Sequence, residues 1–323
     1  MPTVAVTDAT FPTLDIEAEI LRPAGAELVA GQCKSVETLI PLVREADAVL
    51  TQFAQIREEV IGAMQRARVI VRYGIGVDNV DLDAARARGI PVCNVPDYCI
   101  DEVADHTLAF ILATTRQVVP NLQNIRDGAW GLATPLDRLR TLCDQTVGIV
   151  GFGRIGREVA SRLAPFKCRR LVADPGVSAD QVRAAGCEPV SLGALLAGSD
   201  VVTLHCPSTP QTRRLLNAAT IASLKSGAIL VNLARGDLIE TSALVAALLS
   251  GQVGAAAIDV CDPEPIPPDS PLRSLPNVIA APHIASASVK AVRRLRETAA
   301  QIVLRVLSGE APPNVVNGVM PRS

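Results

Sequence analysis

Six short, continuous apolar runs in the second half of the chain constrain its fold more than any other feature. They are Val147 to Val150, Leu171 to Ala173, Val201 to Leu204, Ile229 to Leu233, Ala256 to Val260 and Val278 to Ala281. Runs that do not alternate with polar residues are typical of strands covered on both faces, as in a parallel sheet between helices. Helical patterns such as Ser242 to Leu249 lie between them. The sequence therefore predicts a doubly wound α/β domain.

The first 100 residues carry a second α/β pattern. Its short β-branched stretches are Thr3 to Thr7, Ala48 to Leu50, Val69 to Arg72 and Ile90 to Val92. Segments of helical period such as Val36 to Arg44 separate them, which predicts βαβ units in a smaller domain. Apolar residues at steps of three or four from Val289 to Val306 predict a last helix that returns to this first domain. A chain of 323 residues is long enough for two cores.

Two segments connect these patterns. A helix is expected from about Asp101, as its N-cap, to about Arg116, and the apolar stretch Leu108 to Ala113 predicts that it is buried. The segment from Asn121 to Leu142 contains glycines and a proline and lacks clear periodicity. We therefore expect a connecting arm there.

A glycine-rich turn follows the first apolar run. Gly151, Gly153 and Gly156 lie between the run that ends at Val150 and a helical stretch from Arg157 to Leu163. In this context glycines allow a tight turn, close approach of the backbone to a pyrophosphate and close packing of helix on strand. The helix N-terminus adds N–H donors and a positive dipole end. This pattern predicts a Rossmann-type dinucleotide site.

Asp174 indicates which dinucleotide binds. It follows the next run, 18 residues after Gly156, close to the roughly 20 residues typical of the acidic residue in this motif. A carboxylate there accepts hydrogen bonds from ribose hydroxyls and repels a 2′-phosphate, and Pro175 follows it in place of an arginine. We therefore expect NAD in preference to NADP. An acidic surface turn without a ligand is the alternative.

Three polar side chains follow the last three runs. Arg235 follows the fourth run, Glu264 the fifth and His283 the sixth. Because ligands of doubly wound sheets lie beyond the carboxyl ends of the strands, we expect these side chains to converge on one edge. Beside a nicotinamide they are suited to hydride transfer between a carbonyl and an alcohol.

Each of these side chains has a distinct expected role. His283 would donate a proton to the carbonyl oxygen, or remove it from the alcohol. Glu264 would favour the imidazolium and hold the orientation of the ring. Arg235 would bind a substrate carboxylate with its fork of donors, which predicts a 2-oxo or 2-hydroxy acid substrate. The structural alternatives are a helix cap for His283, a Pro-rich surface turn for Glu264 and an ion pair in the core for Arg235.

Two other histidines and one turn complete the candidates. His106 falls in the predicted buried helix, where we expect a structural role, and His205 follows a run on the cofactor side, where we expect it to line the cofactor site. The turn Gly74-Ile75-Gly76 follows a first-domain strand. Its N–H groups could form an anion nest in which a substrate carboxylate rests against Ile75 and Gly76. A purely structural turn is the alternative.

Composition excludes several other classes of ligand. With 31 basic and 33 acidic residues, the net charge of -2 gives no reason to expect nucleic acid or an anionic membrane as partner. The eight cysteines form no Cys-x-x-Cys pair, so we expect no metal and no disulfides. No apolar run approaches the roughly 20 residues of a membrane span, and the N-terminal residues lack the pattern of a signal peptide. We therefore expect a cytoplasmic protein.

Recognisable motifs extend over nearly the whole chain. They are Arg72 to Asp81, Asn94 to Pro96, Glu102 to His106, Gly151 to Gly156, His205 to Thr212, Asn232 to Gly236, Asp259 to Pro265 and Pro282 to Ala285. Together they resemble the D-isomer-specific 2-hydroxyacid dehydrogenases. The stretch from Val95 to Leu108 resembles the branch that includes C-terminal-binding-protein corepressors and bacterial NAD-dependent members.

The resemblance implies further roles. Arg235, Glu264 and His283 match the family's catalytic set. Beyond the three glycines, Asp174 and His205, the implied cofactor contacts are Arg154, Ile155, Cys206, Pro207, Thr212, Leu233, Ala234, Asp259 and Ala285. Ile75, Gly76 and Arg235 would hold the substrate, and Tyr98 would face it.

The resemblance also implies the domain arrangement. A flavodoxin-like substrate domain of residues 1–100 and 286–323 would contain an inserted NAD-binding Rossmann domain of residues 101–285, with a homodimer through the cofactor domains. The expected reaction interconverts a small 2-oxo acid and its D-2-hydroxy acid, of the glyoxylate, hydroxypyruvate, lactate or 3-phosphoglycerate type. A phosphite-type dehydrogenase and an NADH-sensing, corepressor-like binding protein are the alternatives.

Overall fold

The computed structural model describes residues 1–136 and 139–319. The chain divides into two compact units. The smaller unit comprises Met1–Tyr98 together with the chain from Ser288 onward, and the larger unit comprises Cys99–Ala287. In the described part of the chain, no helix combines the length and the apolar character that a membrane span requires.

The smaller unit contains a five-stranded parallel sheet. Its strands are β1 (Thr3–Val6), β2 (Glu27–Ala30), β3 (Ala48–Thr51), β4 (Ile70–Arg72) and β5 (Val92–Cys93). Their spatial order, β2-β1-β3-β4-β5, is the flavodoxin-like order expected for this domain. Strand β2 was not predicted from the sequence, because this edge strand is mostly exposed and lacks a buried apolar run.

The larger unit contains a seven-stranded parallel sheet. Its strands are β6 (Thr146–Val150), β7 (Arg169–Ala173), β8 (Glu188–Pro189), β9 (Val201–Leu204), β10 (Ala228–Asn232), β11 (Val253–Ile258) and β12 (Val278–Ala280). Their order is β8-β7-β6-β9-β10-β11-β12. The strand order reverses between β6 and β9, which confirms the predicted Rossmann-type sheet. All six apolar runs form strands, whereas the two-residue β8 was not predicted.

Helices cover both sheets. In chain order they are α1 (Asp15–Leu21), α2 (Val36–Val43), α3 (Glu58–Ala63), α4 (Leu82–Ala87), α5 (Ile100–Thr115), α6 (Val118–Arg126), α7 (Arg154–Leu163), α8 (Ala179–Ala184), α9 (Leu192–Gly198), α10 (Ala218–Ala222), α11 (Thr241–Ser250) and α12 (Val289–Leu307). Leu295, Ala299 and Val303 of α12 are buried in the smaller unit, in one apolar cluster with β1 and β3. A buried ion pair between Arg296 and Glu17 (2.6 Å) also joins α12 to α1.

Two local predictions were wrong. Asp101 is not the N-cap of α5, because the helix starts at Ile100, with Cys99 at the cap position. The Asp101 carboxylate instead contacts Arg162 of α7 at 2.7 Å. The segment expected to be a connecting arm without regular structure also begins within a helix, α6. The apolar side chains of α6 are exposed, so the sequence carries no pattern of buried positions there.

Candidate active site

The carboxyl ends of six neighbouring strands in the larger unit align in register. The paired strand-end residues are Ala173, Val150, Leu204, Asn232, Ile258 and Ala280. The residues that follow them directly therefore form a row along one edge of the sheet: Asp174, Gly151, His205, Leu233, Asp259 and Ala281. The loops that start from this row carry the predicted site residues of the larger unit.

The glycine turn after β6 is shaped to receive a ligand. Gly151 has a positive φ of 91°, and a Cβ atom there would lie 2.6 Å from the backbone nitrogen of Cys206. A Cβ on Gly156 would lie 2.2 Å from the carbonyl oxygen of Gly151, so both positions require glycine. At Gly153, in contrast, a Cβ would meet no atom within 4 Å. This open position at the N-terminus of α7 fits the close approach of a pyrophosphate.

Asp174, the residue that follows β7, also fixes the backbone of the glycine turn. The backbone N–H of Phe152 donates to Asp174 Oδ2 (2.6 Å), and that of Gly176 donates to Oδ1 (2.8 Å). The carboxylate is half-buried at the sheet edge, where a ribose hydroxyl could reach it. The sequence motif predicted the ribose contact but gave no sign of this contact with the turn.

Burial keeps two side chains after β9 uncharged. His205 Nε2 lies 2.9 Å from Thr203 Oγ1, and burial lowers the pKa of His205 to about 4. Burial, with a smaller effect of the Asp174 charge, raises the pKa of the Cys206 thiol to about 11. At neutral pH, His205 is therefore a neutral imidazole and Cys206 a neutral thiol, and neither is poised for acid–base or nucleophilic chemistry.

The loop after His205 is held by its own side chains and by the neighbouring loop. Thr212 Oγ1 donates to the carbonyl oxygen of Pro207 (2.7 Å). Ser208 Oγ donates to Asp237 Oδ2 (2.6 Å), and Arg213 Nε lies 3.2 Å from the same oxygen. Asp237 thus ties the loop after β9 to the loop after β10. This role of Asp237 was not predicted, because a sequence does not indicate which neighbouring loop a carboxylate will contact.

His283 and Glu264 form a direct pair in the larger unit. His283 Nδ1 lies 2.7 Å from Glu264 Oε1, and the histidine side chain is only partly exposed. Arg235 lies three residues after the last residue of β10, and His283 lies three residues after the last residue of β12. Asn232 shapes the arginine loop, since its side chain donates to the carbonyl of Arg235 (2.8 Å) and accepts from the N–H of Ala234 (3.0 Å).

Asp259 fixes the backbone of the histidine loop. Its buried carboxylate accepts hydrogen bonds from the N–H groups of Ile284 and Ala285, both at 2.8 Å, and its carbonyl accepts from the N–H of His283 at 2.8 Å. His283 has a φ of 55°, a left-handed conformation that costs a non-glycine residue about 1–2 kcal/mol. These three bonds therefore hold His283 in a backbone conformation that it would not adopt by itself.

Three of the remaining candidates, Ile75, Gly76 and Tyr98, lie in the smaller unit. The carbonyl oxygen of Ile75 accepts from Asn94 Nδ2 (2.6 Å), and that of Gly74 accepts from the N–H of Val95 (3.0 Å). These bonds fix the carbonyl side of the turn that contains Gly76. Tyr98 is partly buried and packs against the apolar cluster of this unit. His106 belongs instead to α5 of the larger unit, where its ring contacts that of Phe110, with the centroids 4.5 Å apart.

Comparison with known proteins identifies relatives over most of the chain. The family model of the D-isomer specific 2-hydroxyacid dehydrogenase NAD binding domain matches residues 108–285. The chain is 39% identical to a glyoxylate reductase of Thermofilum pendens, covering 88% of this chain and 85% of that protein. It is 39% identical to a D-3-phosphoglycerate dehydrogenase of Mycobacterium tuberculosis, covering 87% of this chain and 53% of that one. The chain thus spans about half the length of the phosphoglycerate dehydrogenases that it matches.

A solved structure agrees with these sequence matches. D-lactate dehydrogenase from Aquifex aeolicus, complexed with NAD and lactic acid, superposes with a TM-score of 0.87 at 27% identity. The match covers 95% of this chain and 96% of that one. Both units therefore have counterparts in a single known protein.

Proposed function

Because the chain belongs to the D-isomer-specific 2-hydroxyacid dehydrogenase family and carries its NAD-binding domain, we propose that it interconverts a small 2-oxo acid and its D-2-hydroxy acid. The observation that carries this proposal is the hydrogen bond between His283 Nδ1 and Glu264 Oε1 (2.7 Å) at the carboxyl edge of the larger sheet. An imidazole held by a carboxylate is suited to move one proton to and from a substrate oxygen.

The chain has residues suited to hold the cofactor. Gly151, Gly153 and the N-terminus of α7 would receive the pyrophosphate, and Asp174 would accept from the ribose hydroxyls. Arg154, Ile155 and Gly156 at the start of α7 would add further contacts. The loops after β9, β10, β11 and β12 would contribute the others, at the residues that the family resemblance implies: His205, Cys206, Pro207, Thr212, Leu233, Ala234, Asp259 and Ala285. When bound, the nicotinamide accepts or supplies the hydride.

The catalytic steps are assigned to three side chains of the larger unit. During reduction His283 would donate its proton to the carbonyl oxygen of the substrate, and during oxidation it would take the proton back. Glu264 would fix the ring and stabilise its protonated form, since opposite charges at this distance attract. Arg235 would bind the substrate carboxylate and polarise the adjacent carbonyl. In the smaller unit, Ile75 and Gly76 are proposed to offer backbone N–H groups to a substrate carboxylate, and Tyr98 is proposed to face the substrate.

A panel of 2-oxo acids tests the proposed activity. We expect NADH oxidation, followed by absorbance, with at least one 2-oxo acid, and we expect the product to be the D-2-hydroxy acid by chiral chromatography. The converse reaction should reduce NAD with the D-enantiomer and not with the L-enantiomer. If NADH binds and no 2-oxo acid is reduced, the NADH-sensing alternative is favoured; reduction of NAD by phosphite would favour the phosphite-type alternative.

We also propose that the protein forms a homodimer through its larger units. Helix α6 exposes Val118, Leu122 and Ile125, which share one face of the helix, and Trp130 and Leu132 are exposed just beyond it. None of the residues of α6 is buried within the unit. An apolar surface of this kind marks a protein–protein contact, because leaving it in water is unfavourable.

A double substitution in α6 tests the dimer. Leu122→Asp combined with Ile125→Asp should shift the protein from dimer to monomer, since two carboxylates would be desolvated in the interface. Light scattering after size-exclusion chromatography measures the mass. The control is Leu249→Asp, at a position on α11 that is 67% exposed, which should leave the mass unchanged. A monomeric wild-type protein would contradict the proposal.

A further inference from the structure

Glu264 lies on a short turn of the larger unit, residues 261–265, here called the glutamate turn. The turn begins three residues after the end of β11. Within residues 1–136 and 139–319, its backbone makes no hydrogen bond to another backbone group. Pro263 and Pro265 flank the glutamate and have no N–H to donate. Backbone pairing therefore does not hold the turn, and its position depends on side-chain contacts and packing.

A threonine hydroxyl provides the first of these contacts. Thr241 is the first residue of α11, and its Oγ1 donates to the carbonyl oxygen of Asp262 at 2.5 Å. Leu244 and Leu248 of the same helix are buried in the apolar cluster of the larger unit. The donor thus stands on an element that core packing fixes, and it joins the glutamate turn to that element.

A thiol provides a second contact, within the turn itself. Cys261 Sγ donates to the carbonyl oxygen of Pro263 at 3.1 Å. Partial burial, with smaller effects of the Glu264 and Asp262 charges, raises the pKa of the Cys261 thiol to about 11. The thiol is therefore protonated at neutral pH and keeps the hydrogen that it donates. This bond fixes the peptide group directly before Glu264.

Close packing against the loop after β10 limits the turn on a further side. A Cβ atom on Gly236 would lie 2.0 Å from the carbonyl oxygen of Cys261 and 2.7 Å from its Cα. Only glycine allows this approach, so the turn passes directly against the residue that follows Arg235. The turn that carries Glu264 and the loop that carries Arg235 are thus in backbone contact.

The pair of Glu264 and His283 is sensitive to the position of this turn. Glu264 Oε1 lies 2.7 Å from His283 Nδ1, within the range of a charge-assisted hydrogen bond. The backbone of His283 is held separately, by the carbonyl of Asp259. A shift of the turn would therefore not be followed by the histidine loop and would lengthen the bond. A displacement of about 1 Å in a catalytic site can lower the rate by about 10²-fold.

We propose that Thr241 and Cys261 are positioning residues for the reaction: their side chains hold the glutamate turn so that the Glu264 carboxylate stays paired with His283. The inference rests on the proposed function, because it acts through the acid–base pair. Thr241 has the larger effect, since it ties the turn to a helix, whereas Cys261 acts only within the turn. Nothing in the sequence marked Thr241, because its partner lies 21 residues further along the chain.

Two substitutions of Thr241 test the inference. Thr241→Val keeps the branched shape but removes the donor, and we expect it to lower kcat for reduction of the best 2-oxo acid by about five- to tenfold. Thr241→Ser keeps a hydroxyl and should retain most of the wild-type kcat. NADH affinity, measured by fluorescence titration, should be unchanged in both. The matched control is Ser242→Ala on the same helix, which removes a hydroxyl that contacts Glu240 instead of the turn and should leave kcat unchanged.

Substitutions of Cys261 test the second contact. Cys261→Ala should lower kcat by about two- to threefold, a smaller loss because a thiol is a weak donor, and Cys261→Ser should restore it. Unchanged kcat in a folded Thr241→Val protein would overturn the inference and leave the proposed function intact. If Thr241→Val does not fold, the Cys261 pair decides: equal kcat in Cys261→Ala and the wild-type protein would overturn it.

A double-mutant cycle separates positioning from a general loss of stability. Glu264→Ala removes the carboxylate that the turn presents, so Thr241→Val should cause no further loss of kcat in that background. If Thr241→Val lowers kcat by the same factor with and without Glu264, it acts on another group, and the inference is overturned. If the wild-type protein reduces no 2-oxo acid, the proposed function fails, and this inference fails with it.

Discussion

Replacement of His283 by alanine is expected to lower kcat by about 10²-fold or more, the usual contribution of a general acid–base residue, while NADH still binds. The imidazole is held by Glu264 through Nδ1 at 2.7 Å and by the backbone bonds to Asp259. Alanine keeps the backbone N–H that donates to Asp259 but removes the group that would exchange the proton. Steady-state kinetics together with NADH titration by fluorescence separate turnover from cofactor binding.

Two companion variants make the His283 result specific. Glu264→Gln retains a hydrogen-bond acceptor for the ring but removes the negative charge, so we expect a smaller loss of kcat than for His283→Ala. His106→Ala removes a histidine of α5 whose ring packs on Phe110, and it should leave kcat close to that of the wild-type protein. If kcat of His283→Ala equals that of the wild-type protein, the assignment of the acid–base residue is wrong.

Replacement of Asp174 by alanine is expected to abolish most of the preference for NADH over NADPH. In the wild-type protein we expect a preference of about 10²-fold, because placing a 2′-phosphate against a carboxylate costs several kcal/mol. The alanine variant should also bind NADH more weakly, since Asp174 accepts from the N–H groups of Phe152 and Gly176. Dissociation constants of both cofactors, measured by fluorescence titration, provide the test.

The variant Asp174→Asn separates the two effects of the carboxylate. The amide retains an oxygen that can accept from one of the two N–H groups, but it has no charge to repel a phosphate. We therefore expect NADPH binding to improve in both variants and NADH binding to be weaker in Asp174→Ala than in Asp174→Asn. A wild-type protein that prefers NADPH would refute the role given to Asp174.

Local sequence patterns were sufficient for most of the fold. The six apolar runs of the larger unit could be recognised because strands covered on both faces leave continuous buried stretches, and each run forms a strand. Where an element is exposed, that signal disappears. The edge strand β2 and the helix α6 were missed for this reason, since their side chains are mostly exposed. The cap of α5 was misplaced by two residues, a common error because helix ends depend on local geometry.

The candidate site also has features that followed from local sequence and others that depend on the tertiary structure. The sequence by itself determined which residues follow each strand, because the strands are continuous in the chain and parallel pairing brings their carboxyl ends to one edge. This was enough to select the glycine turn, Asp174 and the three polar residues Arg235, Glu264 and His283. Contacts between loops were decided only by the tertiary structure, since they depend on side chains far apart in sequence.

The clearest examples of contacts decided by the tertiary structure are aspartates that hold other residues in place through hydrogen bonds. Asp259 fixes the left-handed backbone of His283, and Asp237 ties two loops together. In the sequence each is an aspartate near the end of a strand, with no indication of which N–H or hydroxyl it will accept from. The chain thus encodes the order and the chemistry of its loops locally, whereas their relative positions follow from strand pairing, which brings residues separated by 25 to 45 positions within hydrogen-bond distance.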